Sequence, residues 1–186
     1  MVRGEEALDR ALAELWCFVA EAFCWFLNSG VELDDEVDTA VLLDYINCTG
    51  IHVSNVLKAL WRPMQDPERR ASAVATLCEL GVPDFMCVCG TDRQHIAELG
   101  AEASIRAMDV FIAVRRSASP AVLDDLEFTL DHLDTILFLC DPVRLEPEHG
   151  MGAEERAALA DIRDACERDV ADARVQMRAQ LQAASN

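Results

Sequence analysis

Four residues in the middle of the chain have side chains of the types that bind zinc. Cys87 and Cys89 are separated by a single residue, Cys78 precedes them and His95 follows. Thiolate sulfurs and imidazole nitrogens are the ligands of tetrahedral zinc sites, so these four residues could converge on one ion. Zinc-binding cysteine pairs more often have about two to four residues between them, and cysteine commonly serves as a small buried hydrophobe. We therefore expect reduced, metal-free thiols and no cofactor, with a Cys/His metal site as the alternative.

Tyr45, Cys48 and His52 occupy successive turns of one helical pattern, which places a phenol, a thiol and an imidazole on the same side. An imidazole in such a position can transfer protons or activate a thiol. Buried histidines usually have a polar partner, and we expect Tyr45 or a backbone group to provide it for His52. Catalysis by these three residues is the alternative, although no known nucleophile motif or phosphate-binding glycine loop accompanies them.

The segment from Leu15 to Leu27 is the longest apolar stretch of the chain. At about 100° per residue, Phe18 and Trp25 project beside Glu21, roughly 90° away from the inward seam of this helix. A helix that is apolar on nearly every side is usually a core helix. We expect either a central helix wrapped by its neighbours or a partner-binding flank formed by Phe18, Trp25 and Glu21.

Apolar residues elsewhere repeat every three or four positions, which predicts helices and no sheet. Breaks in the pattern fall at Gly30, Pro63, Pro83, Pro120 and Pro142. The predicted helices cover residues 5–28, 34–62, 67–80, 92–116, 120–140 and 153–182. These segments predict an all-α protein, a single compact bundle of about six helices over residues 1–186, with residues 176–186 as a frayed tail.

The apolar repeats also predict which face of each long helix points inward. The inward seam of the first helix is Leu8, Leu12, Leu15, Val19, Ala22 and Phe26, that of the fourth is Ile96, Leu99, Ala103, Val110 and Val114, and that of the last is Leu159, Ile162, Cys166, Val170, Ala173, Met177 and Leu181. Gly50 is expected to bend or split the second helix, whose inward seam is Val37, Val41, Tyr45, Cys48, His52, Val56 and Leu60. The fifth has an inward seam of Leu126, Leu130, Leu133, Leu137 and Cys140, opposite an acidic stripe of Asp124, Glu127, Asp131 and Asp134 that includes His132 as a neighbour. A stripe of this kind is typical of a solvated face.

The charge balance argues against nucleic-acid binding. The chain has 34 acidic and 16 basic residues, a formal net charge of −18, and therefore repels the phosphate backbone of nucleic acids. Residues 15–27 contain Glu21 and are too few to cross a bilayer, and no basic leader precedes them, so we expect neither a membrane span nor a signal peptide. Eight cysteines then indicate a reducing compartment, and the cytoplasm is the expected location.

Three short motifs resemble those of known families. The segment 146–149, Glu-Pro-Glu-His, resembles the Glu-Pro-x-Asp-His hinge signature of chaperones that escort molybdenum enzymes, but it lacks the aspartate. Leu77, Gly81 and Asp84 are similar to the Leu-x-x-x-Gly-Asp core of Bcl-type apoptosis regulators, although Val82 follows the glycine. Arg144 and His149 have the interval of the Arg-x4-His motif of helical HEPN ribonucleases. Each resemblance covers only a few residues, and none identifies a family.

The sequence as a whole favours a non-enzymatic helical protein that binds a helix or peptide segment of another protein through a hydrophobic surface or groove. A viral, Bcl-like modulator of host signalling in the host cytoplasm and a dedicated chaperone both fit this expectation. Self-association into a homo-oligomer is also compatible with it. The alternative is a metal-binding protein or enzyme that uses one of the two Cys/His groups, at residues 78–95 or 45–52.

Overall fold

The protein is an all-α bundle. The computed structural model describes residues 2–28, 36–73, 75, 92–140 and 152–183, and no β-strand occurs among them. Its helices are α1 (Val2–Asn28), α2 (Glu36–Leu60), α3 (Arg62–Gln65), α4 (Asp92–Val114), α5 (Pro120–Leu139) and α6 (Ala153–Ala183), and residues 70–73 and 75 are also helical. The predicted all-α fold class is therefore confirmed.

The central helix of the bundle is α4, which packs against α1, α5 and α6. It is buried on several sides, and many of its inward residues are small, including Ala97, Gly100, Ala103 and Ala107. Small side chains let neighbouring helices approach closely on more than one side. The central position that the sequence suggested for α1 belongs to α4, and among the described helices α1 packs mainly against α4 and α2.

The inward faces of α1 and α5 follow the sequence pattern, whereas α2 is rotated. Leu12, Leu15 and Val19 of α1 are buried, as is the predicted leucine seam of α5. In α2 the residues in the core are Leu42, Ile46, Thr49, Val53, Val56 and Leu57. Most of these lie one position after the predicted seam, a rotation of about 100°. The half-buried residues Tyr45 and His52 lie on the flank of α2 toward α5, where they contact His132 and Asp125. Cys48 is also half-buried.

The end of α2 and the start of α3 form a corner that ion pairs hold against α1. The helix α2 continues through Gly50 without a split and ends at Leu60, before Trp61 takes an extended conformation and α3 begins with Pro63 in its first turn. Arg62 ties this corner to α1, with Nη1 2.9 Å from Glu5 Oε2 and Nη2 2.6 Å from Asp9 Oδ2. Of the predicted third helix, 67–80, residues 70–73 and 75 are helical and 67–69 form a turn, whereas 74 and 76–80 lie outside the described residues.

The last helix packs on α4 through its first half, where Leu159, Cys166 and Val170 are buried. It remains helical through Ala183, and Met177 packs partly against the core while Val175 is 63% exposed. That residues 176–186 contribute little to the stability of the fold stays a prediction, which a truncation tests. Within the described residues, no helix is both long and apolar enough to cross a membrane.

Candidate functional site

Two features of the α2 surface have the geometry of functional sites. The first is a cluster of polar and aromatic side chains between α2 and α5, which we call the histidine cluster: Tyr45, His52, Asp125, Phe128 and His132. The second is a groove between α1 and α2, on the other flank of the same helix. Asn55 belongs to the groove lining and also lies 3.4 Å, measured from Nδ2, from Asp125 Oδ1. The two features are therefore neighbours.

The strongest polar contact of the histidine cluster joins His52 to Asp125. His52 Nδ1 lies 2.8 Å from Asp125 Oδ1, and the two side chains are 23% and 20% exposed. A carboxylate only accepts hydrogen bonds, so the proton of this contact is on Nδ1. In the neutral ring Nε2 then keeps its lone pair, which is the orientation a general base requires. The expectation that Tyr45 or a backbone group is the partner of His52 is therefore wrong, because His52 bonds to Asp125 on another helix.

Aromatic contacts complete the histidine cluster. Phe128 stacks on His52 with ring centroids 5.2 Å apart and an interplanar angle of 23°, although its side chain is 52% exposed. His132 lies 5.3 Å from His52 and 5.2 Å from Tyr45, which meets it edge-on. His132 Nδ1 is buried and has no hydrogen-bond partner among the described residues. The second histidine thus faces α2 and does not belong to the solvated stripe in which the sequence placed it.

The environment of His132 disfavours its charged form. Burial lowers the pKa of His132 below its ordinary value of 6.5, and the neighbouring His52 lowers it further, while Asp131 acts in the opposite direction. The neutral form of His132 therefore avoids charge repulsion from the neighbouring His52. We therefore expect acid pH to weaken the contact between α2 and α5 at the histidine cluster.

The groove between α1 and α2 has a volume of about 340 Å³. Ten residues line it: Trp16, Val19 and Ala20 from α1, and Ile46, Asn47, Gly50, Ile51, Ser54, Asn55 and Lys58 from α2. Apolar groups form most of this lining, and Ile51 is a large apolar residue that is 54% exposed. A concave apolar surface with a few polar groups at its margin is the usual form of a binding site.

Gly50 forms part of the groove in the interior of α2. A Cβ added there would meet a single neighbouring atom within 4 Å, Val19 Cγ1 at 4.0 Å. By comparison, a Cβ on the buried Gly100 of α4 would contact Ile136 Cγ2 at 3.6 Å and Leu137 Cδ2 at 3.8 Å. Packing within the chain therefore gives no reason for a glycine at position 50. The missing side chain leaves space in the groove.

The partner-binding residues expected on α1 are distributed differently from this groove. Phe18 is half-buried, packs against the core and lines a small internal pocket with Leu99 and Gly100 of α4. Glu21 is half-buried, and the side chain of Trp25 lies outside the described residues. The aromatic residue of α1 that borders the groove is Trp16, which the sequence pattern did not single out. An isolated glycine inside a helical pattern was the available signal for the groove, because such a residue costs stability.

The predicted zinc-binding residues are only partly described. Cys78, Cys87 and Cys89 lie outside the described residues, and His95 is half-buried at the start of α4. No set of three or more potential metal ligands occurs within the part of the chain that the structure describes. The cysteines described there, Cys17, Cys48, Cys140 and Cys166, form no disulfide. Burial, with Glu98 and Asp169 nearby, raises the pKa of the Cys166 thiol to about 11.

The motifs that resemble known families, at residues 77–84 and 144–149, also lie outside the described residues. No family model matches the chain, and no curated protein or solved structure is significantly similar to it.

Proposed function

We propose that this chain is a non-enzymatic protein-binding module that holds a helix or peptide segment of another protein in the groove between α1 and α2. Helix-in-groove recognition buries the apolar face of an amphipathic helix in a hydrophobic groove. The lining by Trp16, Val19, Ile46 and Ile51 supplies such a surface. A modulator of signalling or a dedicated chaperone would both use a groove of this kind.

The observation that carries the proposal is Gly50. Glycine in the interior of a helix costs about 0.5 to 1 kcal/mol relative to alanine, because more conformational freedom is lost on folding. At Gly50 the added methyl would fit beside Val19, so the fold gains nothing from its absence. A backbone surface without a side chain allows close approach of another molecule. The cost in stability is consistent with selection for an open groove.

The length of the groove favours a polypeptide as the occupant. Its α2 residues extend from Ile46 to Lys58, which at 1.5 Å per residue is about 18 Å, or roughly three helical turns. An amphipathic helix of about three turns presents two or three apolar side chains along one face. Polar side chains from Asn47, Ser54 and Asn55 at the margin can hydrogen-bond to the polar flanks of such a helix.

A peptide-display selection tests the proposal. A library of helical peptides of about twelve residues is selected on the purified protein, with Gly50→Leu as the counter-selection target, since the leucine side chain fills the groove. We expect enrichment of sequences with apolar residues at i, i+4 and i+7 that bind the unmodified protein and lose at least about tenfold in affinity on G50L, which corresponds to about 1.4 kcal/mol. Peptides that bind G50L equally well would overturn the proposal.

Three further variants separate a loss of binding from misfolding. Gly50→Ala should fold and gain up to about 1 kcal/mol in the free energy of unfolding. Ile51→Glu alters an exposed lining residue and should keep the fold, yet it places a charge in the apolar groove and should abolish binding. A matched substitution outside the groove, Val175→Glu on α6, where the side chain is 63% exposed, should leave binding unchanged.

A further inference from the structure

We propose that the segment bound in the groove carries an acidic side chain that pairs with Lys58, about two helical turns from the apolar side chain that sits on Gly50. This inference rests on the proposed function, because it names the chemistry of the partner at the same groove. It commits to a segment of another protein, amphipathic and with a carboxylate at one end of its apolar face.

The charges around the groove support an acidic partner. The chain has 34 acidic residues, yet none of the residues that line the groove is acidic. Lys58, the only lysine of the sequence, is part of the lining and is exposed. Within the described residues no carboxylate forms an ion pair with it, whereas the nearby Arg62 is already paired with Glu5 and Asp9. Lys58 is therefore available to a carboxylate of the partner.

The position of Lys58 defines the spacing in the partner. It lies eight residues after Gly50 on α2, a separation along the helix axis of about 12 Å. A partner helix that runs along the groove covers this distance in about eight residues of its own. Its acidic residue therefore lies about seven or eight positions from its main apolar anchor. This spacing separates the proposed partner from an amphipathic helix in general.

The net charge of the chain argues against a second copy as the occupant. Two molecules of formal charge −18 repel each other, and this repulsion opposes self-association through the groove. Screening weakens the effect of this net charge on any partner beyond about 8 Å at physiological ionic strength, so a short segment with few charges is affected far less than a second copy of the chain. At contact distance, the sign of the charge that lines the groove decides which side chain fits there. That charge is positive.

Three designed peptides of about twelve residues test the inference by fluorescence anisotropy. All three carry leucines at i, i+4 and i+7, and they differ only at i+8, where they have Glu, Gln or Lys. On the unmodified protein we expect the Glu peptide to bind about three- to fivefold more tightly than the Gln peptide, the range of an accessible ion pair. This preference should disappear on Lys58→Gln and reverse on Lys58→Glu, which should favour the Lys peptide. Arg178→Gln, an exposed site on α6, is the matched control and should keep the original preference.

The outcomes separate this inference from the proposed function. Peptides that bind the unmodified protein and fail on Gly50→Leu, but show no preference among Glu, Gln and Lys, would overturn the acidic partner and leave the groove as the binding site. Peptides that bind Gly50→Leu equally well would overturn both. A dimer of the protein alone that dissociates in Gly50→Leu, measured by analytical ultracentrifugation, would replace the foreign segment with a second copy.

Discussion

Asp125 on α5 holds His52 on α2 through a 2.8 Å contact between Oδ1 and Nδ1, which joins residues that are 73 positions apart in the sequence. The pair is four-fifths buried and fixes one flank of α2 against α5. The opposite flank of α2 borders the groove. The contact between His52 and Asp125 therefore fixes the position of α2, the helix that forms one side of the groove. Such support keeps a binding site in one geometry.

A double-mutant cycle should measure this contact. His52→Ala, Asp125→Ala and the double variant are expected to give a coupling free energy of about 0.5 to 1.5 kcal/mol at pH 7, the usual range for one hydrogen bond. The readout is chemical denaturation followed by circular dichroism. Asp124→Ala, an exposed neighbour on α5, is the matched control and should change stability by less than about 0.5 kcal/mol. A coupling of zero would show that the contact does not stabilise the bundle.

Acid should destabilise the protein through His132. Burial and the nearby His52 lower the pKa of His132 in the folded state, so the unfolded chain binds a proton more readily. The stability that neutral His132 provides is fully present above the ordinary pKa of about 6.5 and is lost as the pH falls below it. His132→Phe should flatten the pH dependence of the free energy of unfolding between about pH 7 and pH 5. An equally steep loss in this variant would rule out His132 as its source.

The purified protein should contain no stoichiometric zinc. Cys87 and Cys89 have one residue between them, whereas zinc-binding cysteine pairs usually have about two to four, and cysteine commonly serves as a small buried hydrophobe. Elemental analysis by mass spectrometry checks this, and Cys87→Ser combined with Cys89→Ser should leave the melting temperature largely unchanged. One zinc ion per chain, or unfolding by a chelator, would instead support the Cys/His metal site of residues 78–95.

Truncation after Val175 should cost less than about 1 kcal/mol in the free energy of unfolding, because the fully buried residues of α6 precede Val175 and Met177 is only partly buried. The shortened chain keeps Arg174, which pairs with Asp134 of α5. As a positive control, truncation after Arg163 removes the buried Cys166 and Val170 and should unfold the protein. If the shorter deletion already prevents folding, Met177 and Leu181 belong to the core.

The sequence was sufficient for the helices but insufficient for their arrangement. The periodicity of 3.6 residues marks one apolar stripe, and it located α5 and α6 to within a residue or two. A helix that contacts two neighbours has two stripes, so the pattern on α2 was ambiguous by one residue. Asp125 could not be identified as the partner of His52, because their pairing depends on how α5 lies beside α2. The sequence pattern predicted a bend or split at Gly50, but it could not place Gly50 in a groove, because the groove depends on how α1 packs beside α2.

We propose that the groove between α1 and α2 binds a segment of another protein. Nuclear magnetic resonance of the ¹⁵N-labelled protein, titrated with a peptide from the display selection, tests it most directly. We expect the largest chemical-shift changes at the Trp16 indole and at the backbone amides of Gly50, Ile51 and Lys58, with α6 unaffected. Shift changes that centre on another face, or that persist unchanged in Gly50→Leu, would contradict the claim.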